Sequence, residues 1–350
     1  MTNTVFPNNI NKMYVELSDR CNARCPMCHR NQYGGKDAEY ITNTDISLEQ
    51  FKTWFPKEFL QQLESIFFGD IGEPIMNDDC LEIFKYIKES NRDCLIRIYT
   101  NGSLRDKDFW ASLSKVLTYK DLVTFAIDGF SDTHSHYRIG TDFNKVMENS
   151  VSFIKNYGNA KADIFVFEHN EHQVDDLTIF LYKNGFNLVN ARSTDRFHGF
   201  SSFPVKDTEG NTIYNIYPAK NVKWKNFNVD YEKVLNTDLS SVNIHPKCFG
   251  NTSIYVNSRG KVSPCSWVSG SSENGYVDNW CRSDTETKLR QKMHESSISL
   301  ESKITNIQLS NIDILTELRN SNWLTELPNN WNKHFLCQLN CGTNVRDFLQ

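Results

Sequence analysis

Met13-Tyr-Val-Glu-Leu17 runs through Ser18-Asp19-Arg20 into Cys21-Asn-Ala-Arg-Cys25-Pro-Met-Cys28, and the reading of this stretch decides the fold. Its first five residues alternate apolar and polar, the period of a strand. Three thiols then crowd onto one short loop. Three thiolates placed this way can hold three irons of a cubane cluster and leave the fourth iron without a protein ligand. A zinc ion would want a fourth ligand, and His29, adjoining Cys28, is cramped for closing a tetrahedron. Uncommitted thiols are the third reading.

Downstream of the loop, apolar segments of strand character recur between helical patterns as far as about residue 195. The strands are Ser65–Phe68, Leu95–Tyr99, Leu122–Ile127, Ile164–Phe167 and Leu188–Ala191. Between them, Cys80–Glu89, Lys107–Leu117, Lys145–Asn156 and Val174–Asn184 carry apolar residues at three- and four-residue spacing. With Met13–Leu17 this makes six βα-type units, which predicts an α/β fold with a parallel layer or barrel. In such folds the chemistry gathers where strands end and loops begin.

Composition sets the outer limits. A chain of 350 residues has room for about two domains. Hydrophobic residues at 39% and aromatics at 13% suffice for a core. The formal charge, 38 − 43 = −5, is spread over interspersed acids and bases, which argues against a nucleic-acid partner. No apolar run approaches the ~20 residues of a membrane span, and Met1–Leu17 lacks the apolar stretch of a signal peptide. A cytoplasmic protein is expected. Ten cysteines in such a chain point to metal or redox chemistry rather than to a disulfide framework.

The loops after the strands carry Gly69-Asp-Ile-Gly72-Glu73-Pro74, then Thr100-Asn101-Gly102, then Ala126-Ile127-Asp128-Gly129 followed by Tyr137-Arg138. Each alone is an ordinary turn. Their order, together with Cys21-x3-Cys25-x2-Cys28 after the first strand, resembles the radical S-adenosylmethionine (SAM) superfamily. Met27 stands where that family often has an aromatic, and Ala126 where many relatives have serine. The resemblance implies a partial (β/α)6 barrel over residues 10–195 and a [4Fe–4S] cluster with an open iron on Cys21, Cys25 and Cys28. It also implies a SAM site built from Gly72, Glu73, Pro74, Thr100, Asn101, Asp128 and Arg138. Glu73 suits the ammonium of SAM, and the planar fork of Arg138 suits its carboxylate.

Residues 196–245 show less pattern and are read as a connector. The remaining cysteines are Cys248, then Cys265 at the end of a hairpin formed by Ser253–Val256 and Lys261-Val262, then Cys337-Gln-Leu-Asn-Cys341. This set resembles the SPASM/twitch extension of the same superfamily. It implies a smaller α+β domain over 246–350 with an auxiliary [4Fe–4S] cluster on Cys248, Cys265, Cys337 and Cys341. Cys281 is a doubtful fifth, and Cys80 and Cys94 read as core thiols.

The activity implied is reductive cleavage of SAM to a 5′-deoxyadenosyl radical that abstracts hydrogen from a substrate. A flavodoxin- or ferredoxin-type donor would supply the electron. A sugar- or aminocyclitol-like small molecule, oxidised or epimerised, is the first reading. The second is maturation of a peptide, which about a dozen residues ahead of the first strand leave without a leader-binding domain. A non-catalytic iron–sulfur electron carrier is the reading of another class. Glu168, His169, Asp195, Arg196 and His198 are candidates for acid–base work, and no single one is singled out.

Overall fold

The computed structural model describes residues 10–197, 200–224, 231–239, 242–244, 253–273, 284–330 and 333–342. Six strands, β1 (Lys12–Val15), β2 (Ser65–Phe68), β3 (Leu95–Thr100), β4 (Leu122–Ala126), β5 (Ala160–Phe165) and β6 (Leu188–Arg192), pair in parallel in chain order. Helices Leu48–Trp54, Cys80–Ser90, Lys107–Val116, Phe143–Lys155 and Val174–Lys183 lie in the crossovers. This is the six-stranded parallel sheet of a partial (β/α)6 barrel. The helix starts follow local chemistry. Ser47 and Gln50 form a reciprocal capping box, and the Asp106 and Asp142 side chains accept the first free amides of their helices.

The alternation of each strand sorts its residues onto two faces. Val15, Ile66, Phe68, Ile98, Val123, Phe125, Ala162 and Ile164 join Phe84, Trp110 and Phe153 from the helices in the main core. Tyr14, Phe67, Arg97, Tyr99, Lys161 and Asp163 occupy the alternate strand positions, and Tyr14 stacks on Phe67 with ring centroids 4.7 Å apart. The fifth strand begins earlier than its most apolar run suggests. The small residues Ala160 and Ala162 pack under the helices, so the buried face is present without bulk, while Phe167 leaves the ladder for an isolated bridge with Pro218.

The predicted C-terminal hairpin is present as β9 (Ser253–Val256) and β10 (Lys261–Ser263), and it does not stand apart. β9 pairs in parallel with β1, Lys12 opposite Ser253 through Val15 opposite Val256. With β11 (Ile307–Gln308) against β10, the sheet grows to nine strands in the order β11-β10-β9-β1-β2-β3-β4-β5-β6. The hairpin thereby covers the edge that β1 would otherwise expose. The stretch read as a connector of weaker pattern contains a second hairpin, β7 (Phe203–Lys206) with β8 (Thr212–Ile216), and a short helix at Tyr231–Asn236. Four- and five-residue strands with a register shift at Val205/Lys206 give too little periodicity to read. Among the described residues no helix is long and apolar enough to cross a membrane.

A buried ion pair ties the end of the barrel away from the loops of interest. Lys88 Nζ lies 2.7 Å from Asp121 Oδ1, with the two side chains 6% and 0% exposed. Asp121 also accepts the amides of Ile96 and Thr118, so it joins the starts of β3 and β4 to the helix Cys80–Ser90. Removing one partner leaves the other charge buried and uncompensated. Lys88→Met is expected to lower unfolding free energy by about 3–5 kcal/mol, read from urea melts. A change within error would show that the pair is dispensable.

Candidate active site

The cysteine loop leaves β1 under tight control. Asp19, buried, accepts the Thr42 amide at 2.9 Å, the Thr42 hydroxyl at 2.8 Å and the Thr44 amide at 2.5 Å. Arg20 pairs with Asp45 and donates to the Met76 carbonyl at 3.0 Å. The loop after β2 meets this turn through its backbone. The Glu73 amide donates to the Arg20 carbonyl at 2.8 Å. A Cβ built on Gly72 would lie 1.8 Å from the Ser18 carbonyl oxygen, so only glycine allows the approach. From the other side, the Arg24 amide donates to the Ile139 carbonyl at 2.7 Å. A small apolar cluster closes over the loop, packing Ala23, Cys25 and Met27 against Tyr137 and Phe167 and against Val205 and Ile216 of the β7–β8 hairpin.

Glu73 is 3% exposed, and its carboxylate is surrounded by donors. Oε1 accepts the Thr100 hydroxyl at 2.7 Å and the Ile75 amide at 3.2 Å, and Oε2 accepts the Asn101 amide at 2.7 Å. Thus the ends of β2 and β3 are joined through one acid. No salt bridge reaches it among the described residues. Burial pushes its carboxyl up to about 7 against the pull of those donors and, more weakly, of Arg138. Pro74 opens the short 3-10 turn Pro74–Met76 directly behind it.

At the end of β4, Asp128 is fully buried. Oδ2 accepts Arg138 Nε at 2.5 Å, and Oδ1 accepts the Phe165 amide at 2.5 Å. Burial raises its carboxyl, and Arg138 opposes the rise. Burial also works against the charge of Arg138, but Asp128 and Cys25 outweigh it and hold the guanidinium above its usual range.

The three thiols sit between these two groups. Burial pushes Cys21 up to about 12, with the charges of Glu73, Cys28 and Cys25 adding to it. Burial raises Cys25 as well, with Arg138 the strongest opposing influence. Asn101 Nδ2 lies 3.9 Å from Cys21 Sγ, and Arg138 Nη1 lies 3.8 Å from Cys25 Sγ. The structure therefore gathers Cys21, Cys25, Cys28, Gly72, Glu73, Thr100, Asn101, Asp128 and Arg138 around one loop. The chemistry of this donor set, three thiols in a mainly apolar shell with an acid on one side and a guanidinium on the other, fits a cluster-bearing loop.

The acid–base candidates separate. Glu168 pairs with Lys220, and Arg196 Nη1 donates to the Met27 carbonyl at 2.9 Å. His169 stacks on Phe167 and lies edge-on to His136 with centroids 4.4 Å apart, and its buried Nε2 has no hydrogen-bond partner among the described residues. The Asp195 side chain and His198 lie outside the described residues. In the second cysteine set, Cys337 and Cys341 stand four residues apart on the helix Phe335–Cys341, and Cys265 follows β10. Burial pushes Cys265 up to about 11, with Cys341 adding to it, and Cys337 up to about 12, with Cys265 and Cys341 adding to it. These three thiols share one neighbourhood. Cys248 and Cys281 lie outside the described residues. Cys80 and Cys94 are buried in the main core, as read. Among the described residues, no three His, Cys, Asp or Glu side chains are gathered tightly enough to hold a single metal ion.

Two contributors escaped the reading of the sequence. Glu16, at the end of β1, accepts the Ile71 amide at 2.9 Å and so helps hold the loop that carries Gly72 and Glu73. An acid following an apolar strand was the available signal. His134, 1% exposed, accepts the Asp128 amide on Nδ1 at 3.2 Å, which leaves the proton on Nε2 to meet Thr141 Oγ1 at 2.9 Å. No local pattern marks it. Burial, aided by Arg138, lowers its pKa to about 3. The unfolded chain therefore takes a proton near pH 6.5 that the folded one refuses until about pH 3, so stability falls as pH drops through that window. The loss is up to about 5 kcal/mol. His134→Asn is expected to flatten the dependence, read as urea midpoints at pH 5 and pH 7. An equally steep dependence in the variant would contradict it.

The chain is thus an α/β partial barrel with three cysteines on the loop after its first strand, met by an acid from the loop after the second strand and an arginine beyond the fourth. Residues 15–181 match the Radical SAM superfamily. The tungsten-containing aldehyde ferredoxin oxidoreductase cofactor-modifying protein of Pyrococcus furiosus is 27% identical over 186 residues, 51% of this chain and 49% of that protein. The chain thus matches about half the length of this curated relative. Among solved structures, native anSMEcpe with bound AdoMet is 16% identical with a TM-score of 0.49, over 94% of this chain and 88% of that one. SuiB of Streptococcus suis bound to S-adenosylmethionine is 13% identical with a TM-score of 0.48, over 80% and 67%.

Proposed function

We propose that this protein is a radical SAM enzyme that takes a hydrogen atom from a small polar substrate of the sugar or aminocyclitol kind, for oxidation or epimerisation. The observation that carries the reading is the convergence of Cys21, Cys25 and Cys28 with Glu73 on one flank and Arg138 on the other. Cys21, Cys25 and Cys28 would hold a [4Fe–4S] cluster through three of its irons. A cluster held there would supply the electron for reductive cleavage of SAM to methionine and a 5′-deoxyadenosyl radical.

The chain's own groups bind and orient. Glu73, buried with no salt-bridge partner among the described residues, would gain a cation from the ammonium of SAM, which would draw its carboxyl back toward the ordinary range. Arg138 is set to receive the carboxylate, with Gly72, Pro74, Thr100, Asn101 and Asp128 shaping the site. The apolar cluster over the loop keeps water from the reacting centre. Support for a polar substrate comes from charged residues along β5 and at the end of β6. Lys161 Nζ lies 2.6 Å from Asp163 Oδ1, and Arg192, half-exposed, reaches Asp163 Oδ2 at 3.6 Å. Residues 10–195, 196–245 and 246–350 are taken as barrel, connector and auxiliary region of a cytoplasmic enzyme served by a flavodoxin- or ferredoxin-type donor.

Cys265, Cys337 and Cys341, with Cys248, are assigned to an auxiliary [4Fe–4S] cluster. Anaerobic reconstitution is then expected to give about eight irons per chain, with Mössbauer spectra of two cubanes. A clean four-iron protein, or stoichiometric zinc, would remove the second site. The substrate reading is tested by deuterium transfer from labelled aminocyclitols into 5′-deoxyadenosine. Transfer from a labelled peptide instead would replace the small-molecule reading.

A further inference from the structure

We infer that Arg138, with Asp128 behind it, sets the reduction potential of the cluster held by Cys21, Cys25 and Cys28, apart from any part it plays with SAM. The inference rests on the assignment of a cluster to that loop. Arg138 is fixed from several sides. Its Nε is committed to Asp128 Oδ2 at 2.5 Å, and its guanidinium carbon lies 5.3 Å from the Tyr137 ring centroid and 5.7 Å from that of Phe165. Asp128 is itself anchored, since its other oxygen takes the Phe165 amide and its own amide is held by His134. The guanidinium cannot swing away without breaking these contacts, and in this position Nη1 lies 3.8 Å from Cys25 Sγ, within reach of an N–H···S bond.

The electrostatic consequence has a definite sign. Reduction adds one negative charge to a cluster and its sulfur ligands. A cation and an N–H donor at a ligand sulfur stabilise the reduced form and raise the potential. The buried carboxylate of Asp128, on the far side of Arg138, acts in the opposite sense. Low polarity around the loop keeps both influences strong. Asn101 provides a second and weaker donor. Its Nδ2 lies 3.9 Å from Cys21 Sγ but gives its better hydrogen bond to Asn22 Oδ1 at 2.8 Å.

An EPR-monitored redox titration of the reconstituted full chain, without SAM, tests this. The relevant signal is the one absent from the protein with alanine at positions 21, 25 and 28. Arg138→Gln is expected to lower the ratio of reduced to oxidised cluster at a fixed poise about tenfold, the order of one charge-assisted hydrogen bond. For a one-electron couple this is about 59 mV. Asp128→Asn is expected to shift the potential the other way, which a loss of packing alone would not do. Either variant decides by the sign of its shift, so failure of one to assemble leaves the other. An unchanged potential in a variant that retains its cluster, or shifts of the same sign in both, overturns the inference. A wild-type chain that binds no iron at the loop overturns the cluster assignment as well, and the two failures are distinguished by iron content.

Discussion

Alanine at Cys21, Cys25 and Cys28 together is expected to reduce 5′-deoxyadenosine formation to background and to remove about four irons per chain. The expectation follows from where the other thiols lie. Cys80 and Cys94 face the main core beneath the helices. Cys265 and Cys337 pack against the main core, a different apolar cluster from the one that holds Cys21, Cys25 and Cys28. None of these can substitute on the loop. The fold itself should tolerate the change. The loop is positioned by Asp19, Arg20 and the backbone bonds to Glu73 and Ile139, none of which involves a cysteine side chain. Retention of the C-terminal iron in the variant separates loss of one site from collapse of the protein. Continued formation of 5′-deoxyadenosine would remove the assignment of the loop.

Gly72→Ala is the other variant with a large expected effect, and it alters no chemical group. The added Cβ would meet the Ser18 carbonyl oxygen at 1.8 Å, the Ser18 carbonyl carbon at 2.7 Å and Asp19 Cα at 2.9 Å. All three are backbone atoms, so no rotamer relieves the overlap and the two loops must separate. Separation carries Glu73 away from the cysteine loop, because the Glu73 amide and the Arg20 carbonyl form the hinge between them. A displacement on the scale of an ångström at a reacting centre costs about a hundredfold in rate. SAM cleavage should fall by that order while the iron on the cysteine loop is retained. Cleavage at the wild-type rate would mean that the loops do not need this approach.

Much of this arrangement was legible before any coordinates. The six parallel strands and the crossover helices were carried by alternation and by three- and four-residue spacing. The C-terminal hairpin was visible in Ser253–Val256, a turn and Lys261-Val262. What it pairs with was not visible, because the partner of β9 is β1, some 240 residues earlier, and periodicity holds no information about distant neighbours. The β7–β8 hairpin was too short and too irregular to register, yet its Val205 and Ile216 help cover the cysteine loop. At the site, residue types and order brought Glu73, Asp128 and Arg138 forward. Their wiring was not readable. Glu73 spends its oxygens on Thr100, Asn101 and Ile75, and Arg138 is divided between Asp128 and Cys25. These bonds depend on how strand ends converge in space. His134 belongs to the same category, since its importance lies entirely in the two partners that burial assigns to it.

The central claim is that the loop between β1 and β2 carries a cluster that cleaves SAM beside Glu73 and Arg138. Its most direct test is the incubation of anaerobically reconstituted, chemically reduced protein with SAM, followed by quantification of 5′-deoxyadenosine and methionine. The account predicts both products in equal amounts, with none formed by the oxidised protein. A protein that holds its iron on Cys21, Cys25 and Cys28, accepts the reducing electron and still leaves SAM intact would contradict it.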